Sequence, residues 1–526
     1  SVVNAARDQK TVGDPNAEYV SLQPLWLRSR AVCSGEKYVK AYDSALTLNY
    51  QNLLIPFSPS MTQQQYDFYK AEAELPGIVA QFTKMLVGGL LRKQPVLKLP
   101  EGVPEEAQDW IINQFGQDDS TLAAFLDEAL YEELQTSRPW VYVDYPQITN
   151  AENLTPEEKA ALKPYPVLWK AETVINWRVA TDIYGKTVLS RVITRTFEES
   201  FTENEFHPSF FDTVKVHELD DNGDYQIRVY RKQDKTGNVV TINGNKQPDG
   251  GKTSPVFMLE ETITNIVANG ERLKIIPAWP LNGMIAPVEP ALSPLIDKEI
   301  NLYNKVSRRN HLLYGASTYT PIISTDMPDT EFDKIVGSGL GTWIRLRAGD
   351  TATVLETPTA ALQDMDRAIA ASVEEMAKMG IRMLSPETAQ SGVALEIRNA
   401  AQNAQLGTLN TKVSNTMKQI ICFMLNWRYD LELKPADIKF DLSSDFNPMP
   451  LGPDWLRLAT EWYQAGLIPR SAWMEMLKQN DMVAPDYDDE AGKQEITDDT
   501  AATVAAQGDM YSQQISQQES LNGNQL

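Results

Sequence analysis

Of the 526 residues only two are cysteine, Cys33 and Cys422, and they stand far apart. That excludes a disulfide framework and a Cys-rich zinc module, and makes a reducing compartment the simple expectation. Histidine is almost as scarce. His207, His217 and His311 are scattered, no carboxylates sit with them at metal-ligand spacing, and no G-x-S-x-G elbow marks a nucleophile. Neither enzymatic activity nor a cofactor or metal is expected. Gly251-Lys252-Thr253 resembles the end of a phosphate loop, but Lys246 occupies the place of the required first glycine, so no ATPase site is expected. Asp220 to Asp224 has the start of a calcium loop without a glutamate at the twelfth position or flanking helices; Asn222-Gly223 supports a hairpin turn there instead. Asp441 to Asp445 hints at the acidic metal cluster of a nuclease, without a His or Lys partner nearby.

Long apolar runs are also missing. Leu75 to Leu91, the most apolar stretch, is broken by Pro76, Gln81 and Lys84 and is too short to span a bilayer. The opening SVVNAARDQK has no apolar h-region, so no signal peptide is expected. Bases are in deficit: 48 Lys and Arg stand against 71 Asp and Glu, a net charge of -23. Such a chain is poorly suited to gripping duplex DNA through its phosphates, because that binding relies on Lys and Arg displacing counterions.

What is present is enough apolar residue, 42% hydrophobic and 9% aromatic, for a sizeable core divided among two to four structural units. Residues 1 to about 60 are mixed and proline-spaced. The first nineteen read either as an extended arm or as a frayed terminus, with Trp26, Tyr38 and Tyr42 as packing anchors. Tyr66 to Leu91 and Thr121 to Gln135 have helical spacing, WVYVDYP follows as a strand, and Thr155-Pro156 reads as an N-cap and first helical position. From Val167 to Ile276 the text is β-rich and reads as antiparallel strands.

The organising stretch is Leu292 to Tyr429. A helix from about Leu292 to Tyr314 carries an apolar stripe and ends at Gly315 as its C-cap. Between Ser317 and Glu356 the text is strand-like at Tyr319–Ile323, Thr342–Leu346 and Thr351–Leu355, with a short helix at Thr330–Val336. A second helix runs from Pro358 to Leu384, stopped by Ser385-Pro386. A polar loop, ETAQSG, leads into a helix from Val393 to Tyr429, ~50 Å long at the standard rise. Ile438 to Leu442 then reads as a strand, Asp454–Ala465 and Arg470–Gln479 as a helical pair, and the acidic, Gln/Ser-rich end as disorder or as a helix that orders on assembly.

This order of parts resembles the portal proteins of tailed bacteriophages, in the siphovirus- or podovirus-type branch. YDFYKAEAELPGIVAQFTKMLVGGLLRKQPVLKLP (Tyr66 to Pro100), RPWVYVDYP (Arg138 to Pro146), YPVLWKAETVINWR (Tyr165 to Arg178) and DWLRLATEWYQAGLIPRSAWMEMLKQND (Asp454 to Asp481) are similar to other parts of that family. The resemblance implies an α+β portal fold: arm and wing of helices plus antiparallel sheet (1–287), two-helix stem (288–315 and 358–384), small α+β clip (316–357), tunnel loop (385–393), long helix and return strand (394–450), and helical crown with tail (451–526). It implies a ring, a dodecamer, at one capsid vertex of the virion, assembled in the host cytoplasm. Double-stranded DNA would pass through it without sequence readout, and an acidic channel wall would let it slide. The implied partners are a terminase, a head-completion or tail adaptor protein, the major capsid protein and scaffold, and no membrane.

Site roles follow by position within that resemblance. Glu387, Thr388, Ala389, Gln390, Ser391 and Gly392 would form the tunnel loop facing DNA, or else an ordinary interhelical loop. Asp364, Asp366, Glu374 and Glu375 would line the stem channel, pair with Lys305, Arg308 or Arg309 between subunits, or form a solvated face. Trp343, Arg345 and Arg347 alternate on one clip strand as a docking face, unless Trp343 fills the clip's own core. A non-enzymatic adaptor or scaffold of another assembly is the alternative; the absence of any repeat period and the sheet-rich middle count against a solenoid.

Overall fold

The computed structural model describes residues 11–41, 51–146, 162–182, 185–201, 205–233, 241–242, 256–268, 271–317, 320–324, 351–355, 359–384 and 392–442, with a few isolated positions besides. The chain divides into two units, 1–446 and 447–526, and the described elements lie in the first. The architecture is mixed α+β with antiparallel sheets.

Helices open the chain. The α1 helix (Ala17–Ser34) starts on Asn16, whose Oδ1 accepts the Glu18 N–H at 2.9 Å, and a short α2 (Glu36–Val39) follows. Within this mixed, proline-spaced opening Pro24 lies inside a helix, held by the burial of Trp26 against Ala171 and Ile175. Tertiary burial outweighs the ~3 kcal/mol that an interior proline costs. The expected single helix from Tyr66 to Leu91 is two, α3 (Gln63–Glu72) and α4 (Ile78–Leu90). Pro76 disfavours helix at the preceding residue, and Gly77 sits at φ +72. β1 (Val96–Lys98) and α5 (Glu106–Asn113) lead to α6 (Leu122–Thr136), capped by Thr121 Oγ1 on the Ala124 N–H.

Three strands, β2 (Trp140–Asp144), β3 (Tyr165–Trp169) and, much later, Ala278–Pro280, make one small sheet with β2 in the middle. The wing-like sheet is separate. It runs β4 (Val174–Thr181), β5 (Thr187–Ser200), β6 (Ser209–Leu219), β7 (Tyr225–Gln233) and β9 (Val256–Ile263), all antiparallel, with β8 (Thr241–Ile242) against β6. The β6–β7 turn is the Asn222-Gly223 hairpin, with Gly223 at φ +78. Asp220 Oδ1 accepts the N–H groups of Asn222 and Asp224 at 2.8 and 2.9 Å, so this carboxylate serves its own backbone. A two-strand ribbon, β10 (Val267–Ala268) with β11 (Glu271–Arg272), precedes the Ala278–Pro280 strand, β12.

The three helices of the organising stretch form with shifted ends, while the strand expected at Thr342–Leu346 and the short helix expected at Thr330–Val336 lie outside the described residues. Helix α7 spans Ser293–Ser317, running two residues past the expected stop at Gly315; α8 spans Thr359–Leu384, starting after Pro358 rather than on it; α9 spans Gly392–Tyr429. Between α7 and α8, β13 (Thr320–Ser324) pairs antiparallel with β14 (Thr351–Leu355). The strand expected at Ile438–Leu442 forms as β15 (Lys439–Asp441), yet it pairs with β1 and not with the large sheet. Pairing with β1 lets Phe440 and Leu97 turn inward together, both buried, while their neighbours face solvent.

One continuous core gathers these parts. Val413, Met417, Ile420, Met424 and Leu425 of α9 pack with Leu126 and Leu130 of α6, Leu86 and Leu90 of α4, Trp140 and Val141 of β2, and Leu295, Leu302 and Tyr303 of α7. Only the root of α7 enters it. Leu313 and Tyr314 near the far end are 41% and 46% exposed.

Candidate functional site

The α7–α8 hairpin is the feature that the sequence reading makes functional, and its geometry follows from two apolar stripes. On α8 the side chains of Leu362, Met365, Ile369, Ser372, Met376 and Met379 turn away from solvent at helical spacing, with Met376 fully buried. Contacts run in opposite order along the two helices, which makes the pair antiparallel. Lys298 Nζ meets Glu375 Oε1 at 2.8 Å, Lys305 Nζ meets Ser372 Oγ at 2.8 Å, and Arg309 Nε meets Asp366 Oδ1 at 2.8 Å.

Of the expected stem residues, then, Arg309 and Asp366 are brought together within one chain. Lys305 finds a hydroxyl rather than a carboxylate. Glu374 is bound to Lys378 at 2.6 Å and Asp364 to Arg367 at 3.3 Å, both along α8 itself. Bonds from Lys378 and Lys298 hold the Glu374 and Glu375 carboxyls below the usual range. Lys298, absent from the sequence-based set, is a full member of this row. Arg308 pairs with no carboxylate among the described residues. It lies close enough to Tyr69 to oppose the rise that burial imposes on that phenol, which still stands at about 12. Gly392 is the first residue of α9 rather than part of the loop before it. The remaining loop residues, Glu387 to Ser391, and the clip residues Trp343, Arg345 and Arg347 lie outside the described residues, as do Gly251-Lys252-Thr253 and the helical pair after residue 450.

Sequence reasoning missed the group that seats the hairpin. Glu299, buried on α7, accepts the Ile78 N–H at 2.9 Å and the Val79 N–H at 2.5 Å, satisfying the first turn of α4, which has no cap of its own. Burial raises its pKa, and these amide bonds oppose the rise. A signal existed: Glu299 falls on the stripe of Leu292, Leu295, Ile296, Leu302 and Tyr303, where an unpaired carboxylate would be costly. Asn304 was missed too. Its side chain accepts from the Ile55 N–H and donates to the Leu53 carbonyl, pinning residues 53–55 along α7.

These residues enclose a cavity of about 330 Å³ beside the hairpin, lined by Ile55, Lys298, Asn304, Lys305, Arg308 and Glu375 among others. A second cavity, about 570 Å³, lies where Phe57, Met61 and Phe68 meet His311. Burial pushes the Cys33 thiol up to about 12 and Cys422 to about 11, and burial lowers His217 to about 3, with Nδ1 held 2.8 Å from the Tyr225 hydroxyl. Among the described residues no group of three His, Cys, Asp or Glu is placed to hold a metal, and no helix is long and apolar enough to cross a membrane.

Residues 291–428, the hairpin and the long helix, match a family model described as a domain of unknown function, DUF4055. No curated protein matches the chain. Among solved structures, a chain from the virion of a native gene transfer agent particle is 10% identical, with a TM-score of 0.37 over 76% of this chain and 89% of that one. A chain from the neck of an empty gene transfer agent particle is 10% identical, with a TM-score of 0.33 over 80% and 95%. The DUF4055 match is confined to α7, α8, α9 and the segment between them, the same stretch around which the sequence reading was organised.

Proposed function

We propose that this chain is the portal subunit of a phage-like particle: a ring at one capsid vertex that conducts DNA during packaging and ejection and docks a terminase, then a head-completion or tail protein. The observation that carries it is the arrangement of α7, α8 and α9. Two antiparallel helices of 25 and 26 residues, rooted in the core, with a pair of antiparallel strands between them in the chain, are followed seven residues later by a helix of 38 residues. A helix of that length spans ~57 Å at 1.5 Å per residue, and Val413 to Leu425 of its second half lie in the core. Placing the chain in a virion extends to it the setting of the two gene transfer agent chains; the weight of the proposal rests on the helix order and not on them. In this reading the loop at 387–391 faces the DNA, the stem presents the Asp364 and Glu374 side of α8, and the ring is a homo-oligomer with no catalytic group of its own.

Single-particle electron microscopy of the purified 526-residue chain tests it. Rings with a central channel wider than the ~20 Å of a DNA duplex, twelvefold in top view, are the expected result. Compact monomers or dimers without a channel would remove the stem and tunnel roles and leave a structural adaptor.

A further inference from the structure

The 330 Å³ cavity beside the hairpin carries more positive charge than its own chain neutralises. Three cations line it, Lys298, Lys305 and Arg308, against one carboxylate, Glu375, and that carboxylate is taken by Lys298. Lys305 is exposed and bonded to a neutral hydroxyl; Arg308 is exposed and has no carboxylate partner among the described residues. In a chain of net charge -23, a concave site where three cations share one carboxylate, Glu375, which Lys298 bonds and whose charge Lys305 also feels, marks an anion receptor. The cavity suits one or two side-chain carboxylates.

The same chain presents a matching convex surface. From residue 99 to residue 137 there is no Lys, Arg or His, while carboxylates recur throughout. On α6 the outward stripe is Ala123, Ala124, Asp127 and Glu128, all exposed. Asp127 has no ion pair among the described residues, and Glu128 has only Lys170 at 3.9 Å. Two small residues ahead of two carboxylates let a helix approach closely and reach into a pocket with its charges. A ring needs two different surfaces on one chain, because each copy meets its neighbours head to tail.

We infer that the Lys305/Arg308 cavity of one copy receives the Asp127/Glu128 face of α6 from the next copy. This rests on the ring reading above and names the contact that closes it. A carboxylate entering there meets a bidentate arginine and a lysine in a partly walled site, where a charge pair is worth more than on open surface. Long nucleic acid is the less suited occupant, since the surrounding negative charge of the chain repels it at range.

Charge exchange tests the contact. Two variants of the full chain are prepared, K305E/R308E and D127K/E128K, and their folding is checked by circular dichroism and thermal unfolding. Assembly is then followed by mass photometry. Each variant alone is expected to need roughly tenfold or more protein to reach the half-assembled point of the wild type. A 1:1 mixture is expected to restore assembly, because alternating copies place every reversed cavity against a reversed face. Either variant assembling like the wild type overturns the inference, and so does a mixture that stays unassembled. A wild-type chain that is itself monomeric fails the ring reading first. Binding of a short DNA duplex that K305E/R308E abolishes, with assembly untouched, assigns the cavity to phosphate and overturns the inference as well.

Discussion

At the scale of single residues the core beside α1 and α6 takes charges out of water, with partners for some of them and not for others. Arg30 donates to both oxygens of Glu132, at 2.8 and 2.7 Å, and to Glu172 at 2.5 and 2.8 Å. Burial opposes its charge, but these bonds keep the guanidinium firmly protonated. Arg138 is less well served. Its NH1 reaches the carbonyls of Met284 and Ile285 and its plane lies between Trp140 and Trp177, and burial draws it down to about 9. Glu133 shows the opposite response. Burial pushes it up to about 8, against the Asn282 bond and the positive charges of Lys412 and Arg138. The native state therefore keeps this proton up to about pH 8, whereas the unfolded chain releases it near 4.5. Stability from this group is full below the lower value and declines as pH rises toward the upper one. Glu133→Gln, which is neutral at every pH, is expected to flatten that decline. Thermal unfolding of both proteins from pH 5 to 8 checks it; parallel profiles would show that Glu133 ionises normally.

At the scale of elements, α7 couples the helical hairpin to α4 through a buried carboxylate. Glu299 fixes the start of α4, and α4 lies in contact with both α7 and α8. Glu299→Gln keeps one acceptor and loses the charge, so it is expected to cost ~1–3 kcal/mol, the range for a buried hydrogen bond left incomplete. The loss should appear locally, as faster amide hydrogen exchange at Ile78 and Val79. Unchanged exchange there would show that α4 starts independently of α7. The helices of the organising stretch were legible because each has an uninterrupted stripe, as Leu362, Met365, Ile369 and Met376 illustrate. Their ends were less so: Gly315 and Pro358 are strong local signals, and packing moved each boundary by a residue or two. Pro24 shows the same priority more strongly, an interior proline tolerated because Trp26 is buried.

At the scale of the whole molecule, the charge pattern bears on the association proposed above. Negative chains repel one another, so a ring of them needs attractive contacts at short range, and the cation-lined cavity is where the described surface offers one. Such contacts are screened by salt, since the Debye length falls from about 10 Å at 0.1 M to about 3 Å at 1 M. The assembled fraction is expected to fall as sodium chloride is raised across that range at fixed protein concentration. Assembly indifferent to salt, or strengthened by it, would show that the cavity contact does not govern joining and turn attention to apolar surfaces such as the Phe57, Met61 and Phe68 cavity.

The sequence by itself determined the helix–insert–helix–long helix order, the antiparallel strands and the Asn222-Gly223 turn. Each of these is written in local periodicity or in one residue's backbone preference, and neither needs a distant partner. Only the tertiary structure decided which charges meet. That Arg309 takes Asp366, that Lys305 meets Ser372, that Arg308 has no carboxylate among the described residues and that β15 joins β1 all depend on residues brought together from far along the chain. Spacing within a helix says which face a residue occupies; it does not say what lies opposite. Glu299 marks the boundary between the two, a charge placed visibly on an apolar stripe whose reason, the bare first turn of α4, appears only once the helices are packed.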